Sequence, residues 1–124
     1  MIIRWPAQIK PGQVSDLPWA AWDLLPTLAE IAITKSPEKT DGLSVLPTLL
    51  GRRQKNPHEF FYWESKENGF QQAARLEDWK AVRTNATAAF ELYNLRTDAG
   101  EKQNVAGQNP GALKKIENAL GPAK

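Results

Sequence analysis

The chain has 124 residues, 41% hydrophobic and 24% charged, a composition that belongs to folded proteins and excludes a disordered chain. Its formal charge is +2, with 16 basic residues scattered among 14 acidic ones, so it lacks the basic block that nucleic-acid binding needs. There is no cysteine, which excludes disulfides, thiolate metal sites and cysteine nucleophiles, and no apolar run approaches the ~20 residues that span a bilayer.

Met1 to Trp5 reads as a strand ended by Pro6, because proline cannot donate to a ladder and restrains the residue before it. The N-terminus has no charged segment leading into an apolar one, so it does not read as a signal peptide; a chain that opens inside a strand is expected to be a cut piece. Lys10-Pro11-Gly12 is a turn signal. Asp23 is placed to cap a helix running to about Ile33, with Pro26 at a position where a missing N–H costs nothing. Leu24, Leu25, Leu28, Ile31 and Ala32 form a helical stripe predicted to face a core. Residues 34–41 are polar and include Pro37, which predicts a surface loop. Asp41-Gly42 turns the chain, and Ser44 caps a short helix over residues 45–50 that Gly51 ends. Residues 52–57 read as a polar linker.

Beyond Pro57 the pattern becomes that of strands. Residues 60–63 are all aromatic, Asn68-Gly69 is a hairpin turn signal, and residues 70–76, 79–83 and 88–93 make three further strands. Four sequential strands with short turns predict an antiparallel meander. Residues 110–120, with Leu113, Ile116 and Leu120 on one side, predict an amphipathic helix that covers one face of that sheet. Five tryptophans in so short a chain promise large buried areas, about 150–250 Å² for each ring.

The residues that could carry chemistry are few. His58 is the only histidine, so no histidine-based metal site can form; it is either a strand-end residue that hydrogen-bonds locally or a polar contact to a substrate. Glu64 and Glu67 share one loop with Lys66, which suits a solvated hairpin tip better than an opposed carboxylate pair. Gln71, Gln72 and Arg75, with Lys80 and Arg83, could make a basic hydrogen-bonding face for an anion, or else pair across strands with Glu77, Asp78 or Glu91. There is no Gly-rich phosphate loop, no Gly-x-Ser-x-Gly, no His-Glu-x-x-His and no acidic calcium loop.

The segment from Phe90 to Asn104, Phe-Glu-Leu-Tyr-Asn-Leu-Arg-Thr-Asp-Ala-Gly-Glu-Lys-Gln-Asn, closely resembles the Glu-Leu-Tyr-Asp-Leu…Asp-Pro-x-Glu…Asn segment near the C-terminus of formylglycine-dependent sulfatases, in the alkaline-phosphatase-like superfamily. Ile2-Ile3-Arg4-Trp5-Pro6 with Ile9-Lys10-Pro11-Gly12, Asp23-Leu24-Leu25-Pro26-Thr27-Leu28 and Asp41-Gly42-Leu43-Ser44 are similar to further family segments. So are His58-Glu59 through Tyr62-Trp63-Glu64, Gln72-Ala73-Ala74-Arg75 and Trp79-Lys80-Ala81-Val82-Arg83. The matches run in family order over nearly the whole chain. Ala7 stands where the family usually has Gly, and Ala99 where it usually has Pro.

The resemblance implies an α/β fold, α+β in this stretch. Residues 1–55 would be the end of the sulfatase α/β domain, and residues 56–124 a four-stranded antiparallel sheet covered by a C-terminal helix. It implies an enzyme family that hydrolyses aryl or carbohydrate sulfate esters with a formylglycine and calcium, in a periplasmic or secreted setting. No position here matches the formylglycine motif Cys/Ser-x-Pro/Ala-x-Arg, and Ser15, Ser36, Ser44 and Ser65 lie outside any such pattern. The chain is therefore expected to hold no catalytic residue, metal ligand or cofactor. It would contribute cleft-side contacts to a sulfated small molecule or glycan through His58, Gln71, Gln72 and Arg75, beside a sulfatase N-terminal domain. The alternatives are a non-catalytic module that binds sulfated glycans and an inert truncated product. The uncovered helix stripe also predicts self-association.

Overall fold

The computed structural model describes residues 1–36, 39–67 and 69–121, so Pro37 of the expected loop and Asn68 of the expected hairpin turn lie outside the described residues. The chain forms two compact units, Met1–His58 and Glu59–Lys124.

The first unit is held together by polar side chains as much as by apolar ones. A 3₁₀ turn, Ala21–Asp23, leads into α1, Leu24–Ile31, and a loop carries the chain to α2, Leu46–Leu49. Asp23 is fully buried and is not the forward-reaching helix cap expected of it. One carboxylate oxygen, Oδ2, accepts backward from the Ala20 amide at 2.8 Å; the other, Oδ1, accepts from the Leu43 amide at 2.8 Å. Thr27 continues the seam: its hydroxyl donates to the Asp23 carbonyl at 2.6 Å and accepts from the Val45 amide at 3.0 Å. Gly42 is required where the loop crosses α1, because a Cβ there would stand 2.1 Å from the Trp22 carbonyl oxygen. The apolar core is small, consisting of Ala20, Ala29 and Val45. Ser44 Oγ accepts from the Leu46 amide at 3.3 Å, and Gly51 ends the segment at φ 69°.

Two expectations fail in this unit. Residues 1–5 make no ladder, and Ile2 is 97% exposed, since a strand needs a neighbour to pair with and the described residues offer it none. The stripe on α1 faces solvent: Leu24, Leu25 and Leu28 are exposed, while Pro26, Thr27 and Ala29 on another side of the helix are buried. Helical spacing predicted the stripe correctly but not which side the loop at Leu43–Val45 would cover. That choice is made by the Asp23 and Thr27 hydrogen bonds.

The second unit is the predicted meander. Strands β1, Phe60–Ser65, β2, Gln71–Leu76, β3, Trp79–Arg83, and β4, Glu91–Asn94, pair antiparallel in sequence order. Helix α3, Pro110–Leu120, matches the predicted span, with Pro110 in its first turn and Gly121 at φ 70° just past its end. Ala74, Ala81 and Leu92 on one sheet face and Ile116 on α3 are all fully buried, and Leu113 and Leu120 pack against them. β4 begins at Glu91 rather than Ala88, because Ala88 is engaged in a turn with Asn85.

The 90–104 segment acquires a physical role here. Asn104 Oδ1 accepts from the Leu92 amide at 3.1 Å and the Ala106 amide at 3.0 Å, and the Val105 amide donates to the Leu92 carbonyl at 2.9 Å. The far edge of β4 is thus satisfied by a loop instead of a fifth strand. Asp98 Oδ2 accepts from the Lys102 and Gln103 amides at 2.8 and 2.9 Å, shaping that loop, and Glu101 pairs with Lys80 of β3 at 2.6 Å.

Candidate functional site

Side chains alternate between sheet faces, and directly opposite residues share one. The register sets Glu64 opposite Gln72 and Gln72 opposite Arg83, in line with Tyr62, Ala74 and Ala81 on the face that α3 covers. Gln71, Arg75 and Lys80 fall on the other face. The basic face of five residues expected from the sequence therefore does not exist. Gln72 and Arg83 stand together; Gln71 and Arg75 are turned away from them. Arg75 donates to the Glu77 carbonyl at 3.0 Å, and Lys80 is occupied by Glu101.

Beyond the end of α3 the covered face opens into a cleft of about 700 Å³. Phe60, Tyr62, Glu64, Phe70, Gln72, Arg83 and Phe90 line it from the sheet side, and Glu117 and Leu120 from the helix. A single hydrogen-bonded row crosses it. Arg83 Nε donates to Gln72 Oε1 at 2.7 Å, Gln72 Nε2 donates to the Tyr62 hydroxyl at 2.9 Å, and that hydroxyl donates to Glu64 Oε2 at 2.5 Å. Lys66 sits 3.1 Å from the other oxygen of Glu64. The row runs from cation to carboxylate, so every donor points the same way and the Gln72 amide has one orientation. The bond to Glu64 is the main reason the Tyr62 hydroxyl is held above its ordinary pKa. The same bond, then Lys66, draws the Glu64 carboxyl below its own.

Arg83 is half-buried between two rings, with its guanidinium carbon 5.4 Å from the centre of Phe70 and 4.8 Å from that of Phe90. Its Nη1 donates to the Ala86 carbonyl at 2.9 Å. The aromatic lining and Tyr62 were not singled out as site residues in the sequence, although the alternation 60-62-64 opposite 76-74-72 contains the information.

His58 lies in the first unit, where its Nε2 stands 2.6 Å from Oδ1 of buried Asp23. The bond spans 35 residues, so it is not the local strand-end contact that the sequence suggests. It makes His58 the third partner of the carboxylate that already holds Ala20 and Leu43.

Residues 1–121 match the family model described as N-sulphoglucosamine sulphohydrolase, C-terminal. The chain belongs to the sulfatases. Human arylsulfatase A is 31% identical to this sulfatase chain over 94% of the chain and 27% of its own length. The structure of Ps i-CgsB in complex with k-i-k-neocarrahexaose superposes with a TM-score of 0.75 and 27% identity, over 94% of this chain and 26% of that one. The structure of BT4656 with D-glucosamine-2-N,6-O-disulfate has the same fold at a TM-score of 0.82 and 23% identity, over 96% of this chain and 26% of that one. The curated relatives are matched over only 11% to 28% of their length, so this sulfatase chain corresponds to the C-terminal part of such proteins.

Calcium and a formylglycine, which the sequence resemblance implies for an intact enzyme, do not fit the described residues of this chain. Among the described residues no three His, Cys, Asp or Glu side chains come together as metal ligands. Glu64 in the cleft is already engaged by Tyr62 and Lys66, and no cysteine or serine lies in a formylglycine motif.

Proposed function

We propose that this chain is the substrate-side C-terminal part of a sulfatase that hydrolyses sulfate esters of carbohydrates, and that by itself it performs no hydrolysis. The observation that carries the reading is the family match over residues 1–121, combined with a cleft whose donors and acceptors suit sugar hydroxyls. The neocarrahexaose bound by a relative of 27% identity supports a carbohydrate substrate. The reacting sulfate, the calcium and the formylglycine would then belong to an N-terminal sulfatase domain, and this chain would hold the part of the substrate that leaves. Of the contacts expected from the sequence, His58, Gln71, Gln72 and Arg75, the one proposed for this cleft is Gln72, which lines it; Gln71 and Arg75 lie on the other sheet face and His58 in the other unit.

A sulfate-recognising module built on Arg75 and Arg83 is disfavoured, since the two guanidinium groups rise from opposite sheet faces. The test is turnover of an aryl sulfate and a sulfated oligosaccharide by the purified chain in calcium buffer. No product is expected, and calcium-dependent release of sulfate would overturn the reading.

A further inference from the structure

We propose that the cleft at the end of α3 is a subsite for an uncharged pyranose ring, and that Arg83 frames this subsite without receiving a sulfate. The proposal rests on the carbohydrate reading above and specifies which part of the glycan this surface takes.

The groups lining the cleft that are charged at neutral pH are Glu64, Arg83 and Glu117, two carboxylates against one guanidinium. Lys66 is paired with Glu64 and brings the local sum only to zero. A sulfate entering here would meet carboxylates with no surplus of positive charge to offset them. Arg83 is also constrained by its own hydrogen bonds. Paired-donor recognition of sulfate uses either Nε with an Nη, or both Nη nitrogens. Here Nε is bonded to Gln72, which occupies the Nε-based pairing, and Nη1 spends one of its two N–H groups on Ala86, which leaves the other pairing only the remaining N–H of Nη1 beside Nη2. Phe70 and Phe90 flank the guanidinium plane as well.

What the cleft offers instead suits a sugar. Phe60, Phe70 and Phe90 present apolar ring surface to the C–H side of a pyranose. Tyr62, a residue 38% exposed, Gln72 and Glu64 are fixed by their bonds to one another, and those bonds leave one N–H of the Gln72 amide and lone pairs of the Glu64 carboxylate over for sugar hydroxyls. An acceptor such as Glu64 selects a hydroxyl and rejects an anion. The volume, about 700 Å³, lies within the ~300–1,000 Å³ typical of small-molecule sites.

The test is NMR titration of the full 124-residue chain with lactose, N-acetyllactosamine and the 6-sulfate of each. The unsulfated sugars should shift the side-chain amide of Gln72 and the rings of Tyr62, Phe70 and Phe90. Each sulfated form should bind no more than about twofold tighter, and with an affinity that does not change between 50 and 300 mM salt, because no counterion is exchanged. Gln72→Leu and Tyr62→Phe should each weaken binding at least fivefold while the amide spectrum stays folded. Arg83→Lys, which loses the planar fork but keeps the charge, should weaken binding of sulfated and unsulfated sugars to the same degree. No shifts at these residues with any of the four sugars would overturn the proposal, as would preferential, salt-sensitive binding of the sulfated forms. Failure of the carbohydrate-sulfatase reading is separate: it would be seen as absence of turnover of sulfated saccharides by a protein containing both the N-terminal sulfatase domain and this chain, whatever the titration shows.

Discussion

At the scale of single residues, Asp23 carries more of the first unit than any apolar side chain does. It is fully buried and accepts from Ala20 and Leu43 while bound to His58, so truncating it removes the acceptor of two backbone amides and one contact of His58. An amide left without its acceptor costs ~1–3 kcal/mol when buried, which puts the loss for Asp23→Ala at about 2 kcal/mol or more. Urea denaturation followed by Trp fluorescence measures it, and a loss below about 1 kcal/mol would show that the hub is dispensable. His58→Ala removes one of the three partners and should cost less than Asp23→Ala. The two tyrosines give a pH prediction. Tyr93 is pushed up to about 12, chiefly by its bond to Glu91, and Tyr62 is raised by Glu64. In the unfolded chain both titrate near 10, so the unfolded form loses protons first. Their contribution to stability is complete below pH 10 and is lost between pH 10 and 12. Tyrosinate absorbance should rise in two steps above pH 10, and Glu91→Gln should move the later step down. The donor and acceptor roles of these side chains were not legible in the sequence. The Asp23–His58 bond, for example, joins residues 35 apart, and no local pattern encodes that distance.

At the scale of elements, patterning did well where a side chain's neighbours lie in the same or the adjacent element. Strand β3 and helix α3 have the predicted bounds, and Leu113, Ile116 and Leu120 face the sheet as helical spacing requires. It did poorly where the partner is non-local. The strand expected over residues 1–5 has no ladder, and the apolar stripe of α1 has no covering layer among the described residues. Asn104 makes the point for β4, whose edge depends on a side chain 12 residues from Leu92. Asn104→Ala removes the acceptor for two amides and should cost about 2 kcal/mol, with faster hydrogen exchange at Leu92 and Ala106. Unchanged exchange at those two amides would mean that water replaces the side chain at no loss. Among the site residues, β alternation alone could have separated Gln72 and Arg83 from Gln71 and Arg75, but only with the strand register in hand.

At the scale of the whole molecule, the apolar groups left in solvent are the main consequence of the fold. Met1, Ile2, Val14, Leu25, Leu28 and Ile33 are each more than half exposed, which is surface that monomers seldom leave uncovered. The purified chain should self-associate with rising concentration in sedimentation velocity, and Leu25→Glu with Leu28→Glu should shift it toward monomer. A monomer at ~1 mM with no change on substitution would contradict this. The sequence by itself determined the family, the four-stranded meander, the bounds of α3 and the absence of a formylglycine motif. These rest on residue order and short-range periodicity, which a linear string preserves. Tertiary structure alone decided that Asp23 is a buried junction, that the α1 stripe lies open, and that Gln72 and Arg83 share a cleft with Tyr62, Glu64 and three phenylalanines. Those facts depend on register and on hydrogen bonds between distant residues, which arise only when the chain closes on itself.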